Sequence, residues 1–220
     1  MDKDLHRNPD YESARLRMVD EQLRRRGIHD VAVLAAMSSV PRHLFVHADD
    51  RDYAYGDHPL SIGHDQTISQ PFVVASMTQE LQLDRKARVF EVGTGCGYQT
   101  AVLAEIVEHV YTVECLPELL SEAVKRLDDL GYSNITSMQG DGSLGWAAHA
   151  PFDGILVAAA AASIPPALVD QLADPGRMVI PLGEHLFSQE LVLVEKREGN
   201  ISKRGLYGVR FVPLRTLDTE

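Results

Sequence analysis

A group of glycines beside an acidic residue carries the clearest chemical signal in this sequence. Gly93, Gly95 and Gly97 stand at alternate positions, and Glu91 lies two residues before the first of them. Glycines let a ligand approach the backbone closely, and a helix that begins directly after them offers unpaired N–H groups. One glycine at such a turn would be simple punctuation, whereas three with an acid in front favour a nucleotide-binding turn.

The spacing of these glycines bears on which nucleotide would bind. A dinucleotide turn requires G-x-G-x-x-G. Counted from Gly93 the third glycine would fall on Tyr98, and counted from Gly95 it would fall on Thr100. The sequence therefore does not spell a pyrophosphate loop. A nicotinamide-dependent oxidoreductase is one hypothesis that stays open at this point, and an adenosine-binding module without catalytic activity is another.

Two further acidic residues follow at positions where neighbouring strands would end. Glu114 could accept hydrogen bonds from both hydroxyls of a ribose, whether that ribose belongs to a dinucleotide or to another adenosine cofactor. Asp141 stands between Gly140 and Gly142, where its side chain could accept from the amino group of an adenine. From the residues alone, Glu114 could equally face solvent and the Gly-Asp-Gly run could be a plain turn.

The elements that must position these residues alternate between strand and helix after residue 85. Alternation at this spacing predicts βαβ units in an open, mostly parallel α/β sheet with helices on both faces and ligand sites at the carboxyl ends of the strands. The predicted strands cover residues 88–92, 109–113, 134–138, 152–157 and 177–181, with antiparallel edge strands at 190–196 and 205–212. The predicted helices cover residues 98–107, 117–130 and 166–172.

The chain before residue 85 has a less regular pattern. Leu16, Val19 and Leu23 fall on one face of a predicted helix that ends at Gly27. A short helix with Asp30 as its N-cap is predicted to reach residue 37, and another is predicted over residues 71–81. These elements form an N-terminal helical extension to the sheet.

Composition and charge exclude several classes of protein. The 220 residues are 45% hydrophobic, which excludes a disordered chain, and 32 acidic against 21 basic residues give a net charge of −11. This charge disfavours a nucleic-acid partner, and the longest apolar run, residues 155–162, is too short for a membrane helix. Cys96 and Cys115 do not form a disulfide framework and the charged start lacks a leader, so we expect a cytoplasmic protein.

Residues 60–71, Leu-Ser-Ile-Gly-His-Asp-Gln-Thr-Ile-Ser-Gln-Pro, narrow the assignment. Together with Phe-Val-Pro-Leu at 211–214 they resemble the signature of protein-L-isoaspartate O-methyltransferases, a family of class I S-adenosylmethionine-dependent methyltransferases. The resemblance extends from about residue 18 to residue 217. It implies a Rossmann-like methyltransferase fold in one domain over 1–220. Within it, residues 1–84 would hold the N-terminal helices and active-site loop, 85–183 the cofactor-binding core, and 184–220 the edge strands.

The resemblance also implies an activity. The enzyme would transfer a methyl group from S-adenosyl-L-methionine to the free α-carboxylate of L-isoaspartyl residues in damaged proteins and peptides, releasing S-adenosyl-L-homocysteine. The ester would cyclise to a succinimide, and hydrolysis would return part of it to L-aspartyl. A carboxylate is already ionised near neutral pH, so the protein must supply placement and exclusion of water rather than a general base. We expect a monomer without a metal ion.

Site residues follow from the same resemblance. It implies that Ser69 is catalytic and orients the substrate carboxylate, and that Val212 contributes to the substrate cleft. The implied cofactor contacts are Thr67, Ser69, Glu91, Gly93, Gly95, Cys96, Glu114, Asp141 and Gly142. From the residues alone, Ser69 could instead cap the helix that begins at residue 71, and an apolar residue such as Val212 could belong to the core.

A few positions depart from the family or allow other chemistry. Cys96 stands where the family usually has serine, and His64 and Asp65 replace uncharged residues. Cys96 at a helix N-terminus could in principle be a nucleophile, although the Gly-x-Cys-x-Gly spacing is absent. His43 and His47 could face one side of a helix, but no third metal ligand stands nearby and a surface or capping pair is favoured.

Overall fold

The computed structural model describes residues 9–183 and 189–216. The strands within these ranges are β1 Leu60–Gly63, β2 Gln66–Ile68, β3 Arg88–Val92, β4 His109–Glu114, β5 Ile135–Gln139, β6 Phe152–Val157, β7 Leu172–Leu182, β8 Gln189–Arg197 and β9 Asn200–Val209. The helices are α1 Pro9–Arg17, α2 Val31–Ser39, α3 Pro71–Glu80, α4 Tyr98–Ala104, α5 Pro117–Asp129 and α6 Pro166–Asp170. The predicted segment limits at residues 1, 184 and 220 lie outside the described residues.

Seven of these strands form one mixed sheet in the order β5-β4-β3-β6-β7-β8-β9. The pairs from β5 to β7 are parallel, whereas β7, β8 and β9 pair antiparallel. The chain moves from β3 towards one edge and later returns to β6 on its other side. The carboxyl ends of β3 and β6 therefore flank the point where strand order reverses, which is where open α/β sheets bind ligands.

Alternating strand residues build two cores, one on each face of the sheet. One core takes Val89, Leu156 and Val179, and helices α2 to α5 pack on that face. The other takes Phe90, Ile155 and Met178 with Leu168 of α6. Since successive side chains of a strand point to opposite faces, apolar residues at every position produce a sheet that is buried on both sides. This arrangement confirms the predicted mostly parallel sheet covered on two faces.

The N-terminal extension differs from its predicted form in one respect. The helix ends at Gly27, which has a φ of 96°, as predicted. Residues Met18–Leu23 form a π turn, however, and this wider turn shifts the phase of the side chains. Val19 and Leu23 are buried, but Leu16 is 50% exposed, so its predicted place on the buried face was wrong.

Strand limits in the second half of the sheet also differ from the prediction. β7 begins at Leu172 rather than at residue 177, because Leu172 pairs with Phe152 of β6 across a register shift. β9 begins at Asn200 and ends at Val209, whereas residues 205–212 were predicted. The first half of β9 is mostly polar and exposed, so it lacks the alternation of apolar and polar residues that predicts a strand. Its backbone nevertheless pairs with β8 from Asn200 onward. Helices α4 and α6 end a few residues before their predicted limits.

Across residues 9–183 and 189–216, no helix is both long and apolar enough to cross a membrane.

Asp30→Ala is expected to lower the free energy of unfolding by about 1 kcal/mol. The Asp30 carboxylate accepts hydrogen bonds from the amides of Ala32 at 2.8 Å and Val33 at 3.1 Å, which α2 would otherwise leave unpaired. Urea unfolding measures the change. Asp30→Asn keeps an oxygen acceptor, so its free energy of unfolding should fall much less. Equal decreases in both variants would count against a capping role.

Candidate active site

A cleft opens at the carboxyl ends of β3, β4 and β6. Its walls combine the glycine-rich turn after β3 with residues that follow the neighbouring strands and with two segments from outside the parallel sheet. The lining includes Gln66 to Ser69, Gly93 to Cys96, Val113 to Cys115, Gly140, Gly142, Ala158, Ala159 and residues 211–215. The cleft thus lies at the carboxyl ends of the strands, as predicted, and at the point where the strand order reverses.

Residues 93–97, called here the glycine loop, adopt a backbone conformation that side chains rarely allow. Gly93, Gly95 and Gly97 have φ values of 94°, 54° and 88°. This left-handed region is accessible to glycine at little cost. A Cβ added at Gly97 would also lie 3.3 Å from Leu127, so the start of α4 packs closely on α5. The loop therefore brings bare backbone to the wall of the cleft, as a nucleotide ligand requires.

Glu114 at the end of β4 has a carboxylate held in place by backbone amides. Its Oε2 accepts from the amide of Gly95 at 2.8 Å, and its Oε1 accepts from the amide of Leu116 at 3.1 Å. The residue lines the cleft and is 6% exposed. Oε1 also accepts from the Cys115 thiol at 3.5 Å, a weak donor, and Oε2 keeps its second lone pair, so the carboxylate can still accept from ligand hydroxyls. The predicted ribose contact is thus sterically and chemically available.

Glu91 lies beneath the cleft rather than in its wall. Its side chain is fully buried, and its Oε2 accepts from the hydroxyls of Thr100 at 2.6 Å and Thr112 at 2.7 Å. The pKa of Glu91 is raised to about 8, mainly by burial and to a smaller extent by the nearby Glu114, while the hydrogen bonds from the two threonine hydroxyls lower it. The structure therefore does not place this carboxyl where the sequence predicted a direct cofactor contact.

The turn after β5 shapes another part of the wall. The Oδ1 atom of Asp141 accepts from the amide of Ser143 at 2.8 Å and from its hydroxyl at 2.6 Å. Gly140 and Gly142 line the cleft, whereas Asp141 is not among the lining residues. A Cβ at Gly142 would collide with the side chain of Val92 on β3, so only glycine allows this close approach.

The hairpin of β1 and β2 brings Thr67 and Ser69 to the cleft. Ile62 of β1 touches the glycine loop, because its Cδ1 lies 3.5 Å from the position of a Cβ on Gly95. Helix α3 begins at Pro71 with Gln70 in the N-cap position, so the half-buried Ser69 stands outside the cap and lines the cleft.

His64 and Asp65, two of the three residues that depart from the family pattern, lie away from the cleft. His64 and Asp65 occupy the turn of the same hairpin, with φ values of 53° and 57°. Both residues are exposed and neither lines the cleft.

The segment at residues 211–215 crosses to the cleft after β9. The backbone of Phe211 is held by buried Gln189, whose Oε1 accepts from its amide at 2.6 Å and whose Nε2 donates to its carbonyl at 3.1 Å. Ala160 donates its amide to the carbonyl of Val212 at 2.8 Å and accepts from the amide of Leu214 at 2.7 Å. Val212 and Ser69 therefore both line the cleft, and Val212 is half-buried.

The alternative chemistry considered for Cys96 and the histidines finds no support in their surroundings. Cys96 lines the cleft, but burial raises the pKa of its thiol, so the reactive thiolate is disfavoured. His43 is buried, stacks on Tyr11 at 4.2 Å between ring centroids and bonds the Tyr55 hydroxyl at 2.7 Å, whereas His47 is exposed. Among the residues that the structure describes, no three His, Cys, Asp or Glu side chains form a metal site.

Sequence reasoning missed several residues of the lining. Ala158 and Ala159 follow β6, and their place could have been inferred from the rule that ligands bind at carboxyl ends of parallel strands. Gln189, which supports the lining by bonding the backbone of Phe211, carries no local signal, because the two residues are 22 positions apart in the chain. Arg215 also lines the cleft, although the resemblance supported no contact beyond residue 214.

Comparison with known proteins shows which family this chain belongs to. The family model for protein-L-isoaspartate(D-aspartate) O-methyltransferase matches residues 14–219. Protein-L-isoaspartate O-methyltransferase 1 of Syntrophobacter fumaroxidans is 52% identical over 204 residues, covering 93% of this chain and 95% of that protein. The chain belongs to the protein-L-isoaspartate O-methyltransferase family.

Solved structures of the family share this fold. One protein-L-isoaspartate O-methyltransferase superposes with a TM-score of 0.82 at 26% identity, covering 90% of this chain and 65% of that one. A Plasmodium falciparum protein assigned to the same family, solved in complex with S-adenosyl-L-homocysteine, gives a TM-score of 0.79 at 28% identity over 91% of this chain and 98% of that one. The predicted family, fold and enzyme class are confirmed, and the oxidoreductase and binding-module hypotheses are set aside.

Glu91→Gln is expected to change how the stability of this methyltransferase depends on pH. Folding raises the pKa of Glu91 from 4.5 to about 8, so the folded state holds a proton that the unfolded state has lost between these values. The free energy of unfolding of the wild type should therefore fall across this window as pH rises. Glutamine cannot ionise, so the free energy of unfolding of the variant should rise relative to that of the wild type, by a few kcal/mol between about pH 5 and pH 9.

Urea unfolding of both proteins at several pH values measures this difference. Glu118→Gln, at an exposed position on α5, serves as the control for removal of one carboxylate. Curves for wild type and Glu91→Gln that run parallel across the whole range would contradict the assignment of a neutral buried acid.

Proposed function

We propose that the cleft binds S-adenosyl-L-methionine and that the protein methylates the free α-carboxylate of L-isoaspartyl residues in damaged proteins and peptides. Membership of the family supports the reaction. The structural observation that supports the location is that one cleft is lined by the glycine loop and Glu114 on one side and by residues 66–69 and 211–214 on the other. These are the general and the family-specific motifs of the sequence, and they meet at one place.

The residues around the glycine loop fit the proposed cofactor. We assign the ribose hydroxyls to Glu114, whose carboxylate is held by backbone amides and retains free lone pairs. The backbone of Gly93 and Gly95 would lie against the ligand, since no side chain intervenes. Asp141 would shape the adenine end through the turn that it caps, with Gly142 in the wall. Cys96 and Thr67 would complete the contacts.

The bound cofactor would supply a methyl group activated by a positively charged sulfur. Glu114 in the wall and the net charge of −11 create a negative potential that favours a cationic ligand. The transfer removes one positive and one negative charge, so a dry cleft raises the energy of the separate charges more than that of the transition state. Apolar side chains from several elements provide such walls, among them Ile62, Ile68, Met77, Leu156 and Phe211.

Ser69 would act on the substrate rather than as a nucleophile. Its hydroxyl can donate to one oxygen of the substrate carboxylate and so direct the other oxygen at the methyl group. The carboxylate needs no base, because it is already ionised near neutral pH. Val212, which also lines the cleft, would contact the polypeptide beside the isoaspartyl residue. Closure to the succinimide then follows without any group of the protein.

We extend the proposal to the setting of the reaction. The protein would act as a monomer in the cytoplasm, as a single domain with an N-terminal segment to residue 84, a cofactor-binding core to residue 183 and edge strands after it. Two free cysteines are in keeping with a reducing compartment. The substrates would be isoaspartyl proteins and peptides, and the acidic charge disfavours nucleic acid.

Incubation with radiolabelled S-adenosyl-L-methionine and an isoaspartyl peptide tests the reaction. We expect a base-labile methyl ester on the isoaspartyl peptide and none on the peptide with a normal aspartyl residue at the same position. Equal labelling of both peptides, or of neither, would contradict the proposed substrate.

Ser69→Ala is expected to lower kcat for the isoaspartyl peptide by at least about tenfold, because the carboxylate loses its orienting hydrogen bond. The Kd for S-adenosyl-L-homocysteine should change much less than kcat. Steady-state kinetics and calorimetric binding measure the two quantities. Ser69→Thr retains a hydroxyl and should recover part of the rate. A normal kcat in Ser69→Ala would leave Ser69 without a catalytic role.

Glu114→Gln is expected to raise the Kd for S-adenosyl-L-homocysteine about tenfold to a hundredfold, because ribose hydroxyls lose a charged acceptor. Calorimetric titration measures the affinity. Glu108→Gln, exposed before β4 and remote from the lining, is the matched control. An unchanged Kd in Glu114→Gln would place the ribose elsewhere.

A further inference from the structure

A short chain of hydrogen bonds runs beneath the glycine loop. It begins at the Oε2 atom of Glu91 on β3, which accepts from the Thr112 hydroxyl of β4 at 2.7 Å. The Thr112 hydroxyl in turn lies 2.7 Å from the hydroxyl of Thr94, which belongs to the glycine loop. The same Oε2 accepts from Thr100 of α4 at 2.6 Å. One buried carboxyl oxygen therefore joins the loop, the adjacent strand and the following helix.

With the proton of the neutral acid on the buried Oε1, Oε2 accepts from both threonines, and the direction of the remaining hydrogen bonds follows from the number of protons available. The Thr112 hydroxyl has one proton and donates it to Glu91, so Thr94 must donate in the contact between the two threonines. Each hydroxyl in the chain thus points towards Glu91. All three threonines are buried, and a buried hydroxyl without an acceptor costs free energy. Removing the Thr112 hydroxyl would leave Thr94 unpaired beneath the loop, and removing the acceptor at Glu91 would leave Thr112 without the acceptor that orients its hydroxyl.

The loop depends on such attachments because its own backbone offers little resistance to movement. Three of its residues are glycines in a conformation that they leave readily. Besides Thr94, the loop is fastened by the amide of Gly95 on Glu114 at 2.8 Å and by the amide of Gly93 on the carbonyl of Val113 at 2.8 Å. These two bonds hold Gly93 and Gly95, and the Thr94 hydroxyl holds the residue between them. Arg126 of α5 holds the second half of the loop by donating to the Cys96 carbonyl at 2.8 Å.

We propose that Glu91 is a positioning residue for methyl transfer: acting through Thr112 and Thr94, it holds the glycine loop in the conformation that receives the cofactor, without touching the cofactor itself. This inference rests on the proposed cofactor site. It replaces the direct contact that the sequence predicted for Glu91 with an indirect one, and it gives a role to the acidic residue of the motif that its burial would otherwise leave without one.

The surroundings of Glu91 determine how the attachment responds to pH. Thr100 faces it from α4, Thr112 and Glu114 from β4, and Leu156 is its register partner on β6. None of these groups carries a positive charge, and Glu114 disfavours a second negative charge nearby. Burial raises the pKa of Glu91 to about 8, so the acid is neutral at lower pH. Loss of its proton would put an unpaired charge beneath the loop and loosen it.

Thr112→Val, compared with Thr112→Ser, tests the attachment. Valine removes the middle hydroxyl, and we expect the Kd for S-adenosyl-L-homocysteine to rise about tenfold, the loss of roughly one buried hydrogen bond. The kcat at saturating substrates should fall much less than the affinity. Thr112→Ser keeps the hydroxyl and should restore binding. Thr136→Val, which removes a hydroxyl bonded to His109 at 2.8 Å on the far strand β5, controls for general loss of stability.

A second measurement needs no ligand. Amide hydrogen exchange of Gly93 and Gly95 in the unliganded chain should be faster in Thr112→Val than in the wild type, in Thr112→Ser or in Thr136→Val. Unchanged exchange at these glycines would overturn the inference, as would unchanged affinity in Thr112→Val. If the wild type does not bind S-adenosyl-L-homocysteine at all, the proposed cofactor site is wrong, while the exchange rates still decide whether Thr112 holds the loop.

The dependence of affinity on pH tests the part assigned to Glu91. The Kd of the wild type for S-adenosyl-L-homocysteine should rise above about pH 8, and this rise should be absent in Glu91→Gln, which keeps an oxygen acceptor but cannot ionise. Identical pH profiles in the two proteins would show that ionisation of Glu91 does not reach the loop, and the proposed role of the neutral acid would then fail.

Discussion

The attachment of a strained glycine turn to two adjacent strands is the constraint on which the rest of the site depends. The turn must expose backbone where β3 ends, and only residues without a side chain tolerate its conformation. Such a turn is intrinsically soft, so neighbouring groups have to hold it. Glu114 does this from above through the Gly95 amide, and buried hydroxyls do it from below. The two carboxyl groups on neighbouring strands therefore differ in their surroundings, one lining the cleft and one facing the interior.

The opposite wall has a different construction. It comes from a hairpin near the N-terminus and from the segment after the last strand, neither of which belongs to the parallel sheet. Ile62 packs on the glycine loop, while Gln189 and Ala160 fix the backbone of residues 211–214. The parallel sheet thus supplies one part of the lining, with the motif shared by class I methyltransferases, and the added segments supply the part that carries the family's signature.

The sequence allowed the parallel sheet to be predicted almost completely, because its central strands are largely apolar and its glycine turn has a distinctive spacing. The family-specific segments were recognised by resemblance, and the cleft brings them together. The role of Glu91 could not be predicted, since the same motif is compatible with an acid that faces the ligand or one that faces the core. That distinction depends on Thr100 and Thr112, which carry no signal in isolation. The phase shift at the π turn and the polar half of β9 were missed for similar reasons, because tertiary pairing overrides local pattern there.

The crossing of residues 211–214 back to the centre of the sheet has a consequence for how the site is assembled. Ser69 and Val212 are separated by about 140 positions in the chain, yet they line one cleft. The nucleotide half of the cleft consists of contacts among residues 91–142, which form over short stretches of chain. The segment at 211–214, in contrast, reaches the cleft through the pairing of both edge strands and through Ala160 and Gln189. The cleft therefore combines local contacts on its glycine-loop side with long-range contacts at residues 211–214.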